Sequence, residues 1–386
     1  MRIILNEIKK IFNLKTVLIL ILGIGILYKI FPEFYVKYFP NGQPTTGIYD
    51  SMKEMQLKYG NSLDEEEFKD FKTNFRNEKV KLADEYLSKH EEAKKLGVKS
   101  YNKLLEDKHN EKIIDKEEDQ SDITKLYSDI IFNKNSKEFW DLNAIDYLIE
   151  RYNGRGSGQI GTNPEWFENR YEEIYSRSQP IIDYDIINNY EVYVGKVMII
   201  IIASIMFSLG SIFIKDKSLG VDYIQYSSNI GRKINNKKVV AAVISSIMLT
   251  TIILGTSLLI YFISNGTSEF FNTNINSVFS NEYVIDITYL QYIILIIILV
   301  YILAIATGLI TLFISNIGKS YIQVLSIGVP VCAALIFISE KVIINNFLLL
   351  YRNQIIIVGL PIVLIVLGTI FIVKIIKGIK KRDILY

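Results

Sequence analysis

Apolar positions gather into six long runs along the chain, at 12–31, 192–214, 239–263, 288–314, 321–339 and 354–376. Each run approaches the ~20 apolar residues that a helix needs to cross a bilayer core. Lipid offers the backbone no hydrogen-bond partners, so helices are the natural form for such runs. The pattern predicts an all-α membrane protein with six transmembrane helices. One long polar interval, 32–190, separates the first run from the second. It predicts a mostly helical extracytoplasmic domain. The expected division is 1–31, an N-terminal interfacial helix and the first transmembrane helix; 32–190, the extracytoplasmic domain; and 191–386, five transmembrane helices with a cytoplasmic loop at 215–238.

Inside the interval, Ser62-Leu63-Asp64-Glu65 reads as a capping box, in which the Ser hydroxyl and the Glu side chain serve orphan amides at a helix start. Phe68, Phe71 and Phe75 then share one helical face, and the pattern continues through Leu82, Tyr86 and Leu87. Gly97 reads as a stop. Further helices are expected at Ser100–Glu106, Ile123–Phe132 and Lys137–Arg151, with a loop at Asn153–Gly161. Trp140 and Trp166 are expected as core or interface anchors.

Charge divides the chain in the same way. Residues 32–190 hold 32 acidic against 23 basic side chains, while the remainder is basic. Positive charge marks cytoplasmic loops. Arg2, Lys9, Lys10 and Lys15 precede the first run. Lys215, Lys217, Arg232, Lys233, Lys237 and Lys238 lie between the second and third. Lys319 lies between the fourth and fifth, and Lys374, Lys377, Lys380, Lys381 and Arg382 end the chain. Residues 264–287 contain no Lys or Arg, and the link after the fifth run has only Lys341 and Arg352. Both termini are therefore expected in the cytoplasm of a multi-pass cell-membrane protein, with 32–190 outside. The basic excess is explained by topology and calls for no nucleic acid.

Little in the chain carries reaction chemistry. The single cysteine, Cys332, lies in the fifth run and forms no internal disulfide. His90 and His109 lack zinc-ligand spacing and read as surface residues. The acid runs Asp64–Glu67 and Glu117–Asp119 read as solvated faces. Gly318-Lys319-Ser320 lacks the earlier glycine of a phosphate-binding loop, since position 313 is Phe. Asn265-Gly266-Thr267 reads as a turn. The centres of the runs are almost free of ionisable residues, which argues against ion-gradient chemistry there. No catalytic residue, metal site or cofactor is expected.

Two cytoplasmic pieces carry more signal. At the N-terminus, Ile4, Ile8, Ile11 and Phe12 share a helical face, with Glu7 and Lys10 off it, as in a helix lying at a membrane interface. In the loop after the second run, Asp216 precedes Gly220. An apolar turn with Tyr223 and Ile224 follows, then Ser228, Arg232 and Lys238. This order resembles the coupling region of type-2 permease subunits of ATP-binding cassette (ABC) exporters, and Glu7-x-x-Lys10 resembles their interfacial elbow helix. Asn229-Ile230-Gly231 stands where that family often has a Pro. The resemblance covers the membrane part and not the insert. It implies a non-enzymatic transport subunit that moves a peptide, antibiotic or lipid-like substrate, with antimicrobial peptide resistance as one version. It also implies a separate ABC ATPase subunit and a second permease protomer, as homo- or heterodimer, as partners within the lipid bilayer. Glu7, Lys10, Asp216, Gly220, Tyr223, Ile224, Ser228, Arg232 and Lys238 would then couple to the ATPase. Ser204, Ser208, Thr250, Thr251, Thr307 and Thr311 are polar within the runs and are candidates for a path or a helix interface. Pro330 and Pro361 are candidate kinks. The alternative is a membrane sensor or scaffold whose acidic ectodomain binds an extracellular ligand or protein.

Overall fold

The computed structural model describes residues 2–110, 121–155, 164–220 and 231–381. Helices dominate, and the only strands among the described residues are Ser62–Leu63 and Gln179–Pro180, paired antiparallel. The chain is an all-α protein divided into two compact units: Met1–Phe39, Asn188–Ser268 and Leu290–Tyr386 form one, Pro40–Ile187 and Glu269–Tyr289 the other.

The first unit holds the long apolar helices. Five are long and apolar enough to cross a membrane, over Tyr184–Ser218, Ile234–Asn265, Tyr289–Ile317, Tyr321–Asn346 and Gln354–Lys377. Arg2–Ile11 and Leu14–Ile30 add a sixth if this pair, bent by 54°, counts as one span. The set is compatible with a multi-pass membrane protein. The bend has a local cause: Asn13 leaves the helix, and its side chain accepts a hydrogen bond from the Thr16 amide at 3.2 Å, capping the second helix. The helices run through Pro330 and Pro361 without ending. Gly266, at φ 65°, closes the 234–265 helix as the left-handed residue that the expected turn requires.

Polar contacts sort the helix ends into two sets. In one, the Asn189 and Asn265 amides both donate to the Tyr35 carbonyl, Tyr193 donates to the Ser257 carbonyl, Tyr292 donates to Glu191, and Lys196 pairs with Glu340. In the other, Lys10 and Lys238 pair with Asp216, and Lys217 donates to the Asn316 carbonyl.

The second unit packs helices around aromatic and aliphatic side chains, among them Tyr101, Leu104, Phe139 and Leu142. The helix start moves from the expected position. Ser62 and Leu63 are taken by the strand pair, so Asp64 becomes the cap: its side chain accepts from the Glu66 and Glu67 amides, and Glu67 returns a bond to the Asp64 amide. Phe68, Phe71 and Phe75 are buried as the spacing required, while Leu82 is half exposed. Phe68 stacks on Tyr152 at 3.7 Å. Trp140 lies against the core, while Trp166 is 59 % exposed and is no core residue. His90 also departs from a surface role, stacking on Tyr86 with its Nδ1 buried. The acid run Glu117–Asp119 and most of the Asn153–Gly161 loop lie outside the described residues.

Residues 269–289 belong to this unit, although they lie between two long apolar helices. Gln56 donates to Thr273 at 2.7 Å, Lys53 pairs with Glu269, and Arg151 donates to the Val278 and Ser280 carbonyls. Asp286 receives Arg177 at 2.5 Å and Arg170 at 2.9 Å. Partial burial raises the Asp286 carboxyl, but the two guanidiniums and Asn276 outweigh it and hold it well below the usual carboxylate range.

Two tests follow for this unit, read by tryptophan emission because both tryptophans lie in it. Gly47 lies against the Trp140 backbone, where a Cβ would meet the carbonyl at 3.1 Å and Ala144 Cβ at 3.2 Å. Gly47→Leu is expected to destabilise the unit by about 1–3 kcal/mol through overpacking, seen as a lower thermal midpoint. Asp183 is 5 % exposed, and burial pushes its carboxyl from 3.8 to about 7. The folded state therefore holds a proton that the unfolded state releases. This contribution is complete below about pH 4 and is lost as pH rises through about 7. Asp183→Asn is expected to flatten that pH dependence and to raise the midpoint at pH 8. An unchanged slope would exclude Asp183 as its source.

Candidate functional site

Four of the residues singled out in the N-terminal helix and the loop 215–238 meet in one ion network. The backbone leaves the 184–209 helix and makes a short helix, Ile214–Ser218. The Phe213 amide donates to Ser315 Oγ at 3.1 Å, which fixes the approach of that turn to the end of the 289–317 helix. Asp216 is thereby buried at 5 % exposure. Lys238 Nζ lies 2.6 Å from its Oδ2, and Lys238 is itself only 2 % exposed, with Nζ 5.1 Å from the Phe213 ring centre. Lys10 Nζ lies 3.6 Å from Asp216 Oδ1 and 2.8 Å from Glu7 Oε1.

Glu7 is 3 % exposed, so the N-terminal helix buries Glu7 with Ile11 rather than a purely apolar face. This corrects the expectation that Glu7 lies off the packed side. The physical reason is pairing: the buried carboxylates of Glu7 and Asp216 face the ammonium of buried Lys238 and that of Lys10, whose side chain stays 42 % exposed. The adjacent Lys217 donates to the Asn316 carbonyl at 2.6 Å, a cation at a helix C-terminus where the dipole favours it. The network thus joins the N-terminal helix, the end of one apolar helix and the start of the next.

Gly220 follows the short helix with φ 62°, its amide donating to the Lys217 carbonyl. No atom lies within 4 Å of where a Cβ would sit, so the backbone angle, not crowding, asks for glycine. Tyr223, Ile224 and Ser228 lie outside the described residues. Arg232 sits in the turn Gly231–Lys233, and its side chain is likewise outside the description.

The polar residues within the apolar helices mostly close on their own backbone. Ser208 donates to the Ser204 carbonyl, Thr250 to that of Ser246, Thr307 to that of Leu303 and Thr311 to that of Thr307. Ser204, Ser208, Thr250, Thr307 and Thr311 are buried. Thr251 is exposed, bonding the Ile247 carbonyl and the Tyr301 hydroxyl at 2.8 Å. Buried back-bonded hydroxyls let helices approach, as at Gly308, whose missing Cβ leaves room for Ser246 Oγ.

Sequence reasoning missed a second polar group in this unit. Glu191 and Glu340 are each 4 % exposed. Glu191 receives the Tyr292 hydroxyl at 2.6 Å, and Glu340 receives Lys196 at 2.5 Å. The available signal was position: Lys196 lies inside an apolar run and Glu340 directly after one, each costly there without a partner.

Among the described residues no cluster of His, Cys, Asp and Glu suits a metal ion. In comparisons with known proteins the chain matches no family model, no curated protein and no solved structure.

Removing one partner of the network exposes its energetics. Asp216→Ala leaves Lys238 buried without its nearest counter-charge and is expected to destabilise the fold by about 3–5 kcal/mol. Asp216→Ala with Lys238→Met is expected to recover most of that loss. The check is thermal stability of the detergent-purified chain by size-exclusion chromatography. Additive losses in the double variant would show that the two residues do not act as a pair.

Proposed function

We propose that this chain is the membrane-spanning permease subunit of an ABC exporter, paired with a second protomer and driven by a separate ATPase. The observation that carries the proposal is the largely buried network Glu7–Lys10–Asp216–Lys238, in which only Lys10 reaches solvent. It gathers the acid before Gly220, the lysine after Arg232, and Glu7 and Lys10 of the N-terminal helix into one body. A force on the loop 215–238 would then reach the N-terminal helix and two apolar helices together. Such a body suits a docking point for a nucleotide-driven partner.

A topology of six crossings, with both termini on the same side, draws support from the packing. The two sets of polar contacts divide the helix ends as alternate crossings require. Residues 40–187 and 269–289, which that topology puts on the same side, also pack as one unit. This supports placing both stretches on one side of the membrane, and the basic loops on the other side are the argument that this side is extracytoplasmic. The proposed substrate class is a peptide, an antibiotic or a lipid-like molecule. The acidic, well-packed second unit also fits the sensor or scaffold reading, in which no ATPase attends the chain.

Purification from native membranes with mass spectrometry of bound proteins separates the two. An ABC ATPase is expected with the wild type and is expected to be lost with Arg232→Glu or Ile224→Asp. A folded wild-type protein that brings no ATPase would refute the exporter reading and leave the sensor or scaffold.

A further inference from the structure

The apolar helix that begins at Tyr321 does not end cleanly. It passes at Ile338–Ile343 into a π-helical turn, then at Ile344–Asn346 into a tight 3-10 turn, before the chain reaches the next helix at Gln354. π-helical insertions concentrate at functional positions, because they retain an extra residue at a cost in helix geometry. Leu348 adds a second departure. It has φ 62°, a left-handed conformation that a branched side chain rarely adopts. The segment is held to itself by two amides. Gln354 accepts from the Leu348 amide and donates to the Asn346 and Leu349 carbonyls, and Asn346 donates to the Lys341 carbonyl.

Polar contacts tie this segment to the helices beside it. Tyr292 donates to the Phe347 carbonyl at 3.3 Å as well as to Glu191. The strongest tie is Glu340, whose Oε1 accepts Lys196 at 2.5 Å and Lys341 at 3.0 Å. The Glu340 stem lies over Gly195, where a Cβ would sit 3.0 Å from its Cγ and 3.3 Å from Asn345 Oδ1. That Asn345 oxygen is buried with no hydrogen-bond donor on it. Missing side-chain volume at Gly195, a single strong charge pair and an unsatisfied acceptor together describe a seat that can be left.

We propose that residues 338–353 form a strap across one end of the apolar helices, fastened by Glu340 to Lys196 in the seat at Gly195, and that this fastening opens and closes. On the exporter reading, which this role within a transport cycle rests on, the strap closes the outer end and lifts when the helices rearrange. The fastening itself can be tested without any ATPase.

The purified full chain, with Cys332→Ala and Asn345→Cys, would be placed in lipid nanodiscs that leave both faces open to a water-soluble maleimide. With the ion pair intact, labelling is expected to be slow. Glu340→Gln is expected to speed it about ten-fold, the order of effect when local opening no longer works against a buried ion pair. Lys196→Met is expected to give less, because Lys341 stays on Glu340. The exchanged pair, Lys196→Glu with Glu340→Lys, is expected to restore slow labelling. Unchanged rates in the single variants would overturn the proposal whether or not an ATPase co-purifies. An exchanged pair labelled as fast as the singles would overturn it too, since packing at Gly195 rather than charge would then hold the segment.

Discussion

A charge shut away from water must bring its opposite with it, and at Asp216 this requirement organises one whole end of the apolar unit. Its carboxylate meets Lys238 from the start of one long helix and Lys10 from the N-terminal helix. Glu7, itself buried, takes its counter-charge from Lys10, which reaches solvent. Had these positions been apolar, the same helices would be free to slide or rotate against one another, since lipid and side chains are equally oily. The charges give the contact a definite register. Glu340 and Lys196 apply the same rule elsewhere in the unit, between a helix and the segment that follows another.

What could be read in the sequence follows from this distinction between burial and pairing. The apolar runs were legible because crossing length and hydropathy are properties of a contiguous segment. Glu7, Lys10, Asp216 and Lys238 were legible one at a time, as charges flanking apolar runs. That they face one another was not, because pairing between residues 10, 216 and 238 depends on how helices pack. Glu191, Lys196 and Glu340 were overlooked for the same reason: each is a single charge in or beside an apolar run, and only its partner makes it tolerable. The cap at Asp64 shows the local version. Ser62 and Asp64 both offer a capping side chain with a Glu three residues on, and a two-residue strand with Gln179–Pro180 decides between them.

The hydroxyls within the helices carry a quieter lesson. Serine and threonine in an apolar run invite thoughts of a polar path, yet Ser208, Thr250, Thr307 and Thr311 spend their protons on carbonyls one turn back. A hydroxyl so engaged presents little polarity outward and takes up little space. In a bundle it acts first as a small residue.

The second unit is built from two stretches of chain that are not neighbours in sequence, 40–187 and 269–289. Val278, Ser280, Glu282 and Asp286 supply partners to Arg151, Tyr175, Arg170 and Arg177. During synthesis the larger stretch emerges first and must wait, incomplete, while the chain of the Tyr184–Ser218 and Ile234–Asn265 helices is made. Its closing piece arrives only with residue 289. Maturation of this unit is therefore clocked by the making of membrane-type helices, and a chain halted before that point would carry a domain with its last wall missing.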